Sequence, residues 1–233
     1  MNLIILNNIE IQVTKKNIKN LHLSVMPPNG IVKISAPTEI TDDAIIAFAS
    51  SRLTWIKTQI ANFKTQARES KREYVSGESF YLFGKRYLLN INKGKKNDLL
   101  IDNDRAFLTL KTDITDKQKQ HFVSNWYRKQ LKAFLQKSVD TWSKKISLFP
   151  DSWQIKDMKT KWGSCTKSKK KLWFNLQLVK KPIECINYVV VHELIHLKHE
   201  KHTEEFKSIL TAYLPNWQLL KKELNSFILD YIT

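Results

Sequence analysis

The chain has 233 residues, of which 42% are hydrophobic and 26% charged, enough apolar material for a sizeable core and too much for a disordered protein. No apolar run approaches the length of a membrane span, and the opening Met1-Asn2-Leu3-Ile4-Ile5-Leu6 lacks the basic start and cleavage site of a secretory signal, so no membrane partner and a cytoplasmic location are expected. The net charge of +17 makes nucleic acid the first partner to consider, although 33 Lys against 6 Arg, with abundant Asn and Ile, is also what an AT-rich coding bias produces.

Residues 1–115 read as a β-rich region of hairpins around one helix. Ile9 to Val13 alternates, and Leu21 to Val25 and Ile31 to Ser35 flank a turn at Pro27-Pro28-Asn29-Gly30. Thr41-Asp42-Asp43 supplies an N-cap and first-turn acids for a helix whose apolar positions are Ile45, Phe48, Ala49, Leu53, Ile56, Ile60 and Phe63. Two further hairpins follow, Phe80 to Asn90 turning at Gly84-Lys85 and Leu99 to Leu110 turning at Asn103-Asp104. The stretch 112–116 is the expected domain boundary.

Residues 116–233 open with a long helix to about Lys145, striped by Phe122, Trp126, Leu131, Phe134, Leu135, Val139 and Trp142. Residues 153–165 and 171–178 read as strands joined by a lysine-rich turn. Pro182 starts a helix expected to run to about Glu200, Thr203 caps a short helix with Phe206 and Leu210, and a last helix carries Leu219, Leu220, Leu224, Phe227 and Ile228. Between Lys156 and Lys171 seven lysines stand against Asp157 alone. A solvated strand-turn face is the bland reading of that run, and a phosphate-tracking patch is the functional one. No internal repeat is visible.

His192-Glu193-Leu194-Ile195-His196 carries the chemistry. Helical spacing puts His192 and His196 on one face, one turn apart, where both imidazoles can reach a single cation. Glu193 projects about 100° around the helix from His192, beside such a metal rather than onto it, placed to take a proton from water. Val189, Val190, Val191, Leu194 and Ile195 make the rest of the helix apolar, and burying Glu193 and two histidines there is costly unless a metal or partners satisfy them. The competing reading is a core helix with hydrogen-bonded histidines.

A catalytic zinc takes three protein ligands and keeps one position open. The third is His202 or His199. His199 lies about 10.5 Å up the helix axis from His192, and His202 can return only if the chain leaves the helix near Lys201, a break that Thr203 as a new N-cap predicts. His202 is therefore favoured, with Glu223 a distant third candidate. Cys165 and Cys185 form no Cys-x-x-Cys pair, and neither is expected as nucleophile or ligand. Trp126, Trp142, Trp153 and Trp173 read as core anchors before stacking platforms. Tyr213 and Lys161 are candidate oxyanion stabilisers.

Lys161-Trp162-Gly163-Ser164-Cys165, Phe174-Asn175-Leu176, Pro182, the run from Tyr188 to Leu197 through His192-Glu193, and His202-Thr203 with Phe206 together resemble the YgjP-like metallopeptidase family, which is related to the SprT-like proteases. The similarity runs without gaps from Asn175 to Phe206 and extends more weakly upstream, through the first hairpins and the helix with Arg52-Leu53 and Trp55-Ile56. Phe174 stands where the family often has Leu, and His199 where it commonly has an acidic or polar residue. The resemblance implies His192, His196 and His202 as ligands of one zinc ion per chain, Glu193 as catalytic acid/base, and a protein or peptide substrate. The SprT relation implies proteins associated with DNA as one substrate class.

The expected fold is α+β: an N-terminal β-hairpin region with one helix (1–115), then a mainly helical, zincin-like core with a small antiparallel sheet (116–233). The expected function is a zinc-dependent hydrolase cleaving peptide bonds. The alternative is a nucleic-acid-binding module, contacting its partner between Lys156 and Lys171, with a structural or idle metal site. Such a closed site needs a fourth ligand, usually Cys, and none lies within 192–202.

Overall fold

The computed structural model describes residues 2–26, 29–65, 73–158 and 160–226. Of the expected features, Pro27, Pro28, Phe227 and Ile228 lie outside these residues, as does the side chain of Phe63. The described residues form an α+β structure of eleven strands in three sheets and six α-helices. The chain divides into two compact units, Met1–Lys71 and Arg72–Phe227.

The first unit is a four-stranded sheet of order β1-β2-β4-β3 with two helices. Strand β1 (Asn2–Leu6) pairs antiparallel with β2 (Ile9–Lys16) across a two-residue turn at Asn7 and Asn8. Both asparagines have positive φ, 47° and 61°, as the tight turn matching strand twist requires. Strand β3 (His22–Met26) pairs antiparallel with β4 (Ile31–Pro37), and β4 runs parallel to β2. Alternation along β2 and β4 sends Ile11, Val13, Val32 and Ile34 inward, where they share a core with Ile45, Ala49 and Ile56 of the helices.

The single helix expected over 45–63 is two helices, α1 (Asp42–Ser51) and α2 (Leu53–Thr65). The Arg52 N–H donates to the Ala49 carbonyl at 3.1 Å, one residue short of helical spacing. Ser51 Oγ donates to the Phe48 carbonyl at 2.8 Å. A side chain taking up a backbone acceptor tightens and breaks the turn there.

In the second unit, β5 (Ser79–Leu82), β6 (Lys85–Lys93), β7 (Asp98–Asp102) and β8 (Arg105–Leu110) form a sheet of order β5-β6-β8-β7. It repeats the topology of the first sheet, two antiparallel hairpins joined by a parallel inner pair, without a matching sequence repeat. The first hairpin turns at Phe83 and Gly84 (φ 49° and 82°), one residue earlier than expected. A side chain at Gly84 would meet the Pro182 Cα at 2.9 Å, and Phe83 N–H donates to the Val179 carbonyl at 2.7 Å, so this turn braces the segment leading into the next helices.

Helix α3 (Asp116–Ile146) starts with a capping box in which Thr115 and Gln118 satisfy each other's backbone. Its buried stripe, Val123, Tyr127, Leu131, Leu135 and Val139, belongs to the same core as Phe80, Leu89 and Leu108 of the second sheet. Tyr127 stacks on Phe80 at 4.9 Å and donates to the Tyr81 carbonyl at 2.9 Å. Because α3 closes over that sheet, the expected boundary at 112–116 falls inside the second unit, and the units part at 71/72.

The third sheet has the order β10-β11-β9, from β9 (Ser152–Lys156), β10 (Gly163–Thr166) and β11 (Lys171–Asn175). It is mixed rather than antiparallel: β10 and β11 form a hairpin, whereas β9 lies parallel to β11 on its other edge. Helices α4 (Ile183–Ile195), α5 (Glu204–Tyr213) and α6 (Trp217–Ser226) complete the unit. No described helix is long and apolar enough to cross a membrane.

Candidate metal centre

Helix α4 is the most apolar helix of the unit, with Ile186, Val190, Val191, Leu194 and Ile195 fully buried. Its buried surroundings fix the azimuth of His192 and Glu193. The helix ends at Ile195, not near Glu200. Leu197 and Lys198 bond three residues back, in the tighter geometry of a terminating helix. The chain then turns until Thr203, whose side chain accepts from the Phe206 N–H and caps α5. This break returns His202 to the helix it has left.

Three imidazoles converge. His192 Nε2 lies 3.2 Å from His196 Nε2 and 3.0 Å from His202 Nε2. Two ligands at 2.0–2.1 Å from a tetrahedral zinc would sit about 3.3–3.4 Å apart, so this spacing is close to that of a metal's ligand atoms. His196 Nδ1 lies 2.9 Å from the His199 carbonyl, an atom that can only accept. That contact puts the proton on Nδ1 and leaves Nε2 a lone pair aimed at the other two rings. Burial, reinforced by the charges of His196, His202 and Lys221, lowers His192 to about 3, and burial likewise lowers His202. Both rings are therefore neutral near pH 7, the form that ligates metal.

Phe206 is the floor of the cluster. Its ring centroid lies 5.0, 4.8 and 4.8 Å from those of His192, His196 and His202, and it is fully buried. The first turn of α5 thus packs the three rings from the side away from the cleft.

Glu193 is 5% exposed, and its Oε2 has no hydrogen-bond partner among the described residues. Burial raises the carboxyl to about 8, opposed by the charge of Lys161. Against it lies β10: a side chain at Gly163 would come within 2.5 Å of Glu193 Oε1, so only glycine leaves room for the carboxyl. Gly163, Ser164, Glu193 and the three histidines line a cleft of about 340 Å³, with Lys161 and Lys167 at its edge. Lys167 Nζ donates to the Lys198 carbonyl at 2.9 Å, tying the end of β10 to the turn after α4.

Asn175 positions the strand that meets Glu193. Fully buried, it donates from Nδ2 to the carbonyls of Met158 and Lys161 at 2.8 and 2.7 Å. Its Oδ1 accepts from the N–H groups of Met158 and Gln177, and its own N–H donates to the Trp162 carbonyl. Every polar atom of the side chain is used, which holds Met158, Lys161 and Trp162 in place and delivers Lys161 and Gly163 to the cleft.

A family model, that of the YgjP-like metallopeptidase domain, matches residues 19–227. The chain belongs to the YgjP-like family. Among solved structures it is similar to the metallopeptidase zymogen abylysin of Pyrococcus abyssi, at 15% identity over 39% of this chain and 90% of that one, with a TM-score of 0.37. It is also similar to the metallopeptidase zymogen jannalysin of Methanocaldococcus jannaschii, at 24% identity over 39% of this chain and 92% of that one, with a TM-score of 0.36. No curated protein sequence matches it.

In this YgjP-like metallopeptidase, His192, His196 and His202 form the group that could hold a metal ion among the described residues. His199 is not in that group. Its Nδ1 faces Glu205 at 3.6 Å, and only its carbonyl serves the cluster. Glu223 accepts from the Cys185 thiol at 3.6 Å instead. Cys165 lines the cleft, but burial and Glu193 push its thiol up to about 11, so it is no thiolate at neutral pH. Of the two oxyanion candidates, Lys161 lines the cleft and Tyr213 does not. Trp162-Gly163-Ser164-Cys165 reads in the sequence as a support of the site, but the contact of Gly163 with Glu193 and the roles of Phe206 and Asn175 are not legible there. The signal, a glycine and a lone asparagine between apolar neighbours, is local, and each acts on a partner distant in the chain.

Proposed function

We propose that this protein is a zinc peptidase, with His192, His196 and His202 holding one zinc ion per chain and Glu193 as catalytic acid and base. The observation that carries this reading is the meeting of three imidazole nitrogens, those of His196 and His202 lying 3.2 and 3.0 Å from that of His192, beside a buried carboxyl with one unpaired oxygen. Three nitrogen ligands suit zinc and leave one position open. A zinc ion bound there supplies a Lewis acid that polarises a carbonyl and acidifies water.

Glu193 takes the proton of the attacking water on its carboxylate and passes it to the departing amine nitrogen. Lys161 favours the ionised carboxylate needed for the first transfer, and burial makes the protonated carboxyl a ready donor in the second. Strand β10 is terminal in its sheet, and residues 163–165 line the cleft, so an extended peptide laid beside it reaches both the histidines and Glu193.

Metal analysis of the purified chain, run beside a peptide-cleavage assay, tests this. One zinc per chain is expected, with cleavage lost to a chelator and restored by zinc. Cleavage at an unchanged rate in chelator, by protein without a transition metal, contradicts it.

A further inference from the structure

The sheet that brings Gly163 to Glu193 has a second face that the metal centre does not use. Alternation along β11 turns Leu172 and Phe174 inward, both fully buried, and turns Lys171 and Trp173 to the other side. Trp173 is flanked by Gln154 of β9 and Ser164 of β10, while Lys171 is flanked by Ser152 and Thr166. Trp173 is half-buried. Lys171 Nζ lies 4.3 Å and Lys156 Nζ 5.9 Å from its ring centroid. Among the described residues no acidic side chain alternates onto this face, and the adjoining turn adds exposed Lys169 and Lys170.

A large aromatic ring set among Ser, Gln and Lys is not a core anchor, since Phe174 and Leu172 fill that role from the same strand. We infer that this face binds single-stranded nucleic acid, with Trp173 stacking on a base and Lys156, Lys169, Lys170 and Lys171 meeting phosphates. Every base offers a π face, so such a platform reads no sequence, and a duplex, whose base faces are already stacked, cannot use it. The lysines leave the indole at little cost, because exposed cation–π contacts are weak, and phosphate offers each a stronger partner. Ser164 belongs both to this face and to the cleft, which places a bound strand at the cleft's rim.

The test is fluorescence anisotropy with a labelled oligothymidine of about 15 nucleotides, over a series of salt concentrations, with duplex DNA and polyglutamate as comparison probes. Trp173→Leu is expected to weaken oligothymidine binding roughly 5- to 150-fold, the worth of one stacked base, and Trp173→Phe to retain most of it. Replacing Lys156 and Lys171 together by Gln should flatten the log–log salt slope by about 1.4, at about 0.7 per phosphate on a single strand. Replacing Lys19 and Lys33 by Gln, as a charge-matched control, should cost less. Wild-type affinity in a folded Trp173→Leu variant overturns the inference, as does equal binding of duplex or polyglutamate, or equal loss in both lysine variants. If Trp173→Leu does not fold, the Lys156/Lys171 variant decides by itself: an unchanged salt slope overturns the inference.

Discussion

Gly163 and Glu193 stand so close that a methyl group added to Gly163 would lie 2.5 Å from Oε1 and 2.9 Å from Cδ of the glutamate. The strand and the helix therefore set the position of the carboxyl between them. Gly163→Ala should displace Glu193 while leaving the histidines untouched. Misplacing a reacting group by about an ångström can cost on the order of 100-fold, so peptide cleavage should fall by that much with metal content unchanged. Wild-type turnover in this variant would show that the contact does not position the acid/base.

The two histidines beyond α4 should behave differently. His202 brings a ring nitrogen to the cluster, whereas His199 contributes its backbone carbonyl and turns its ring toward Glu205. Metal content should therefore fall sharply in His202→Ala and stay near one per chain in His199→Ala. The reverse pattern, read by atomic absorption on both variants, would overturn the ligand assignment.

Local signals in the chain marked much of this site, and non-local relations supplied the rest. The i, i+4 histidine pair on an apolar run and Thr203 as an N-cap are both features of neighbouring residues, and both identify the segment from 192 to 203. The end of α4 was harder to place. Polar residues from Lys198 to Lys201 still permit a helix, and only the carbonyl contact to His196 shows why the chain has already turned. Parallel pairing of β9 with β11 has no local signature, because its partners are joined through a hairpin and a crossing segment. Strand β1 carries no distinct local signature, because a short apolar start reads equally as strand or helix. The second sheet joins the metal-bearing unit through Phe80, Tyr127 and Gly84, contacts that span tens of residues and leave no trace in periodicity.

Stability of the metal-free protein should depend on pH through Glu193. Its carboxyl is raised from 4.5 to about 8 by burial, so the folded state holds a proton that the unfolded state has released. That contribution is complete below about pH 4.5 and is lost as pH rises through about 8. Denaturant midpoints measured in chelator at pH 5 and pH 9 should thus move in favour of Glu193→Gln at the higher pH. The relative gain should exceed ~1.4 kcal/mol, the worth of one pKa unit. Identical pH dependence in both proteins would mean that the carboxyl is not buried as described. His192 acts on the acid side with the opposite sign: its pKa is depressed to about 3, so the stability it contributes is present above 6.5 and is lost as pH falls through 3.

The most direct test of a zinc peptidase built on these residues compares Glu193→Gln with the wild type in zinc content, thermal melting and cleavage of an unfolded protein substrate. The amide cannot accept the proton of water, so zinc should stay at one per chain and the fold intact while cleavage falls by about 10²–10⁴-fold. Zinc-loaded Glu193→Gln cleaving the same substrate at near the wild-type rate would contradict the account.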